Sequence, residues 1–299
     1  MINVYEAIDA NKRKSFLVIV FFALFVALAG SAFIWLTDGS PALLVMALVM
    51  AAVSSFAGYW WSDSIVLTLM KAKEANRSDY FNFYTVAENL SLAAQIPKPK
   101  LYVMDSLASN AFATGRDVNH AAVAVTRGLL EKLNRSELEA VVGHEIAHIK
   151  SYDTRLMVVV SVLIGTIALL GDLFLRNTFF GLGSDRKEQK SGGALFVIGI
   201  IFIVLSPLIG RLIQLAISRR REYSADALSV KLTRNPMALS SALEKISRDP
   251  VQLETASSAN AHLFIDSPFK GRQKTSWLVK VFSTHPPIED RLRALEAMQ

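Results

Sequence analysis

The chain has 299 residues, 52% of them hydrophobic and 19% charged, with a net charge of +6 and no cysteine. The apolar content shifts it away from a typical soluble domain towards a membrane protein. The missing cysteine excludes a disulfide framework and a thiolate metal site, so any zinc is held by nitrogen and oxygen ligands, a donor set typical of catalytic sites with an open position. The basic excess is not a nucleic-acid footprint. Lys12-Arg13-Lys14, the stretch Lys71 to Arg77 and Arg219-Arg220-Arg221 flank apolar runs, where the positive-inside rule puts cytoplasmic charge.

Phe16 to Leu36 is apolar and uncharged, long enough to cross a bilayer as a helix. After Thr37-Asp38-Gly39-Ser40 a second run, Pro41 to Trp61, returns, and the pair reads as a transmembrane hairpin. A cleaved signal peptide competes with this, since Lys12-Arg13-Lys14 resembles its basic region and Ala29-Gly30-Ser31-Ala32 a weak cleavage site. The first run is longer than a signal core and is followed at once by another, which favours the hairpin. From Lys71 to about Arg155 the chain is soluble in character. Pro97-Lys98-Pro99 breaks it, and Lys100 to Met104, the region around Ala111-Phe112-Ala113-Thr114, and Ala121 to Val125 read as short strands.

A helix follows. Ser136 with Glu139 reads as a capping box, and Leu138, Val141, Val142, Ile146 and Ile149 recur at helical spacing. On such a helix His144 and His148 stand one above the other, where two imidazoles can share one metal ion, and Glu145 lies beside them as a general base for a water molecule. The chain holds only five histidines, and two stand in this pattern on an apolar helix where an unpartnered polar group would be costly.

Leu156 to about Leu175 is a third apolar run and Ala194 to Ile217 a fourth, separated by a polar loop, with Pro207 expected to kink the fourth and Arg211 to snorkel. A core helical hairpin is the competing reading of these two runs. From Arg219 the chain is again soluble: an amphipathic helix through Lys231, a second helix opened by Asn235-Pro236, a polar loop near Glu254 to Asn260, and a last helix after Pro286-Pro287.

Two histidines do not complete a zinc site. The metzincin extension is excluded, because Ser151 and Thr154 stand where it needs glycine and histidine. His120, His262 and His285 remain open as third ligand, but Glu222 is the better candidate: Glu222 and Asp226 share a helical face, so one carboxylate can bind metal while the other fixes an imidazole tautomer. An ordinary surface helix with Arg/Glu pairing fits that spacing equally well. The metal helix ends just before the third run and Glu222 begins just after the fourth. Two crossings therefore return the chain to one side, with the site within about 12 Å of the bilayer.

His144-Glu145-Ile146-Ala147-His148, Glu222 with Asp226, Asn110-Ala111-Phe112-Ala113-Thr114-Gly115, and Ser283-Thr284-His285-Pro286-Pro287 with Arg291 together resemble the HtpX family of membrane zinc metalloproteases. The resemblance implies an α+β, mostly helical integral membrane protein with about four transmembrane helices and a gluzincin-type domain built on a small β-sheet. It divides the chain into a hairpin at 1–70, a first part of the protease domain at 71–155, a second hairpin at 156–218 and a second protease part at 219–299. It implies one Zn²⁺ per chain on His144, His148 and Glu222, Glu145 as base and Asp226 behind a ligand. Asn110, Ala111 and Phe112 would lie on the edge strand that pairs with substrate, and His285 would help stabilise the oxyanion with Arg291 supporting it; Tyr223 is the other candidate donor to the oxyanion. It further implies protein substrates, among them misfolded or unassembled membrane proteins, cut in quality control under stress. The protein would lie in the bacterial cytoplasmic (inner) membrane, with its catalytic domain facing the cytoplasm. A CAAX prenyl protease and a non-catalytic membrane adaptor with structural zinc are the alternatives.

Overall fold

In the computed structural model, residues 4–37, 41–163, 219–256, 260, 263–268 and 286–298 are described. The first apolar run is helical throughout and the second to its penultimate residue: α1 spans Val4–Thr37 and α2 spans Pro41–Trp60, and the two pack on each other. Counting only described residues, no helix is long and apolar enough to cross a membrane. Of the third run only 156–163 is described, as part of a helix over 153–163 (α7). The fourth run lies outside the described residues.

After α3 (Ser62–Leu69) comes a four-stranded sheet: β1 Lys73–Glu74, β2 Lys100–Met104, β3 Ala111–Asp117 and β4 His120–Thr126, in the order β1-β2-β4-β3. β2 lies parallel to β4, whereas β3 and β4 form an antiparallel hairpin. The hairpin turn is local chemistry: Asp117 Oδ1 accepts from the backbone N–H groups of Asn119 and His120, both at 2.9 Å, as short acidic side chains do in turns. Gly115, at φ 132°, sits beside the bulge where the register shifts; a Cβ there would strike the His120 carbonyl.

Both faces of the sheet are covered, which is why β4 reads Ala-Ala-Val-Ala-Val without a polar residue in alternation. On one face Val103, Ala113, Val123 and Val125 meet α4 (Phe81–Ala94) and α6 (Arg135–Lys150), the helix that carries His144 and His148. On the other, Phe112, Ala122 and Ala124 meet α3, α7 and Phe264. The short α5, Arg127–Lys132, links β4 to α6 and is capped by Thr126.

The box that starts α6 is formed by Asn134 and Glu137, not by Ser136 and Glu139. Asn134 Oδ1 accepts from Glu137 N at 2.9 Å, and Asn134 N donates to Glu137 Oε2 at 2.8 Å. Asparagine caps as well as serine does, and Ser136 instead donates to the Asn134 side chain at 2.9 Å. Glu137 also accepts from Ser241 at 2.6 Å and Lys245 at 2.7 Å. The cap thus ties α6 to the helix Pro236–Arg248 (α9), itself opened by Asn235 and Pro236.

Between them runs α8, Arg219–Thr233, which lies close along α6. Gly143 permits that approach: a Cβ there would stand 2.9 Å from Ser229 Oγ, and the same hydroxyl donates to the Ala140 carbonyl at 2.6 Å. The last helix, α10, is Ile288–Glu296. Gly143→Ala should push α8 outward and cost about 1–3 kcal/mol, read as a melting temperature lowered by a few degrees and a weaker hold on metal. A variant as stable and as metal-retentive as wild type would show that the close approach does not matter.

Candidate metal centre

The spacing of His144 and His148 puts their rings edge to face, with centroids 4.7 Å apart. Their Nε2 atoms are 3.1 Å from each other. From α8, Glu222 brings one carboxylate oxygen to 3.6 Å from His144 Nε2 and the other to 3.6 Å from His148 Nε2. All three side chains are buried, and one ligand atom from each lies within 4.8 Å of the others. Tetrahedral ligands at ordinary zinc distances stand about 3.3–3.5 Å apart. The donor set and its spacing therefore fit zinc.

Each imidazole is held from behind. His144 Nδ1 is 2.9 Å from Asp226 Oδ1, and Asp226 is gripped by both ends of a guanidinium fork: Arg291 Nε donates to Oδ2 at 2.9 Å and Nη2 to Oδ1 at 2.6 Å. Arg291 is wholly buried on α10, and its Nη1 donates to the Ile265 carbonyl at 3.2 Å. His148 Nδ1 is 3.1 Å from Asp153 Oδ2. Asp153 accepts in turn from Ser151 Oγ at 2.8 Å and Asn11 Nδ2 at 2.7 Å, with Arg221 Nη1 at 3.5 Å. A carboxylate on Nδ1 fixes the tautomer that leaves Nε2 free for metal.

The charges follow from these contacts. Burial would raise the Asp226 carboxyl, but Arg291 and His144 outweigh it and hold it down at about 2. Burial likewise opposes ionisation of Asp153, and His148 with Arg221 overcomes it, lowering its pKa. Burial disfavours a charge on His144, yet the hydrogen bonds to Asp226 and Glu222 raise its pKa to about 9. A metal ion bound at this cluster would displace that proton.

Of the other expected site residues, Glu145 is buried on α6 next to His144, 2% exposed. Tyr223 is half-buried on α8, one residue and about 100° round the helix from Glu222. Arg291 is committed to Asp226. His120 is exposed at the sheet's end and bound to Asp117 at 2.8 Å, away from the cluster. His262 and His285 lie outside the described residues.

Asn110, Ala111 and Phe112 are buried at the start of the edge strand β3, but part of that edge is already taken. Phe264 bridges Phe112, with rings 5.5 Å apart, and Ile265 N donates to the Ala111 carbonyl at 3.0 Å. Asn110 Nδ2 donates to the Asp266 carbonyl at 3.1 Å. Beyond that bridge, no described residue pairs with the outer edge of β3. Asp153, and Asn11 through it, reach His148 from outside the two-histidine pattern; the one local signal for Asp153 is an acid five positions after His148.

Two histidines one turn apart, a glutamate between them and a second carboxylate from a neighbouring helix form the pattern of a gluzincin-type metalloprotease site. The chain belongs to peptidase family M48, whose sequence model matches residues 82–299, and within it to the HtpX proteases. A Protease HtpX homolog of Thermoanaerobacter pseudethanolicus is 42% identical over 299 residues, covering 99% of this chain and 98% of the relative. One from Streptococcus uberis is 40% identical, covering 98% and 99%. The crystal structure of S. mikatae Ste24p shares the fold, at a TM-score of 0.50 and 20% identity over 95% of this chain and 67% of the other.

Replacing Arg291 by Lys keeps the charge but not the fork. Zinc affinity should fall about 10–100-fold, measured by competition with a chelator; unchanged affinity would separate Arg291 from the metal centre.

Proposed function

We propose that this HtpX-family metalloprotease is a multi-pass inner-membrane endopeptidase that holds one zinc on His144, His148 and Glu222 and cuts misfolded or unassembled membrane proteins. The convergence of two Nε2 atoms and one carboxylate at about tetrahedral spacing carries this reading. Zinc, when bound, polarises the scissile carbonyl and acidifies water to a pKa of about 7. Glu145 takes the proton of the attacking water and returns it to the leaving amine. Asp226 and Asp153 keep the ligand imidazoles oriented. Arg291 acts through Asp226, leaving His285 and Tyr223 as the donors proposed for the oxyanion. Substrate pairs as an extra strand with β3 beyond the bridge to Phe264, from Ala113 onward.

Lipid contact is supported by the surface of α1 and α2, where Phe16, Leu24, Leu28, Val45 and Val53 are each more than half exposed. Such a surface is costly in water and natural in a bilayer. At the end of α2, Trp60 and Trp61 are exposed, and cations stack beneath the neighbouring rings: Arg116 lies 4.6 Å from the Trp60 ring and Arg155 4.8 Å from that of Tyr59. Aromatic residues with flanking cations mark a membrane interface. The full reading has four spans in two hairpins, 1–70 and 156–218, each followed by a protease part, 71–155 and 219–299.

A prenyl-peptide protease is the competing reading. Identity of 40% or more over nearly the whole chain to HtpX homologs favours the first, and a prenylated peptide is the discriminating substrate.

Glu145→Gln should lower casein cleavage by about 10²–10⁴-fold while the protein keeps its zinc on elemental analysis. Retained cleavage would refute the base, and a wild type without zinc would refute the metal reading. Protease added outside intact cells should leave the N-terminus and the catalytic segments uncut; digestion there would reverse the topology.

A further inference from the structure

We infer that Asn11 on α1 is a positioning residue of the metal centre, holding Asp153 and through it the His148 imidazole; this rests on His148 being a zinc ligand. Asn11 precedes the first apolar run and is 3% exposed, a polar amide in a place where its donors need partners. Both find them. Nδ2 donates to Asp153 Oδ1 at 2.7 Å and to the Ser151 carbonyl at 2.9 Å.

Those two acceptors flank Tyr152, whose φ of 59° is unusual for a bulky side chain and is sustained only by its surroundings. The turn at Tyr152 folds the chain back after α6, which brings the Asp153 carboxylate to His148 Nδ1 at 3.1 Å. Asn11 clasps both sides of that turn. It shares Asp153 Oδ1 with Arg221 Nη1, at 2.7 Å against 3.5 Å, while Oδ2 takes His148 and the Ser151 hydroxyl. Of the two donors on Oδ1, Asn11 makes the shorter contact and so sets how the carboxylate faces the imidazole.

α1 touches this turn once more: Lys12 lies 4.8 Å from the Tyr152 ring. Lys12 touches the turn without touching Asp153, which separates docking of the helix from orientation of the carboxylate.

The test uses the full chain in detergent: wild type, Asn11→Ala, Asn11→Asp and Lys12→Ala, with zinc affinity from chelator competition, the melting temperature of the zinc-free form, and kcat and KM on casein. Asn11→Ala should bind zinc about ten-fold or more weakly, with kcat reduced, KM kept and the zinc-free melting temperature close to that of Lys12→Ala. Asn11→Asp, equal in size, sets a carboxylate against Asp153 and should bind more weakly still; it decides the matter if the alanine variant does not fold. Lys12→Ala should bind as wild type does. Wild-type affinity in both Asn11 variants, or an equal loss in Lys12→Ala, would overturn the proposal and leave the metal site standing. Wild-type protein that takes up no zinc would overturn both.

Discussion

Two buried carboxylates, Asp226 and Asp153, each occupy the Nδ1 side of one imidazole, and this leaves the two Nε2 atoms facing each other 3.1 Å apart. Without those anchors either ring could turn over and point the wrong nitrogen at the cluster. With them, the only missing piece is an oxygen donor from outside the helix, which Glu222 supplies because Gly143 lets α8 lie against α6. The metal centre is therefore an interhelical contact before it is a catalytic motif.

The anchors come from opposite ends of the chain. Asp226 is fixed by Arg291 on the last helix, and Asp153 by Asn11 on the first. Burying Arg291 at 0% exposure is costly by itself. The cost is offset by a two-pronged pairing with Asp226, a third bond to the Ile265 carbonyl, and Glu222 at 4.0 Å. One guanidinium therefore lies against both Glu222 and the carboxylate that partners His144, which couples the two side chains.

The sheet and the first hairpin set this centre in its working context. Apolar packing on both faces of the sheet leaves β3 at an edge, and the chain's own segment at Phe264 and Ile265 covers the start of that edge. What is left for a partner strand begins near Ala113. At the strand's other end Arg116 donates to the Trp60 carbonyl at 2.7 Å and stacks on its ring, so the strand proposed to receive substrate is tied directly to the end of α2.

Local signals made much of this legible. Helical spacing and a two-histidine pattern specified α6, a proline break and short apolar runs marked β2, β3 and β4 as strands, and Asn235-Pro236 marked the start of α9, because caps, periods and breaks are decided by residues near one another. The cap of α6 was misplaced by two positions because serine and asparagine compete for the same role, and α4 went unmarked in a stretch of mixed polarity. Glu222 was one candidate among several until α8 was seen against α6. Asp153 lies about 140° round from His148 on a continued helix and reaches it only because the chain turns at Tyr152. Asn11, Arg291 and the bridge at Phe264 meet their partners across intervals of 142, 65 and 152 positions. The sequence alone determined the chemistry on offer, which residue types stand on which helix face; the tertiary structure decided which of them meet, since contacts between distant segments follow from packing and leave no period in the chain.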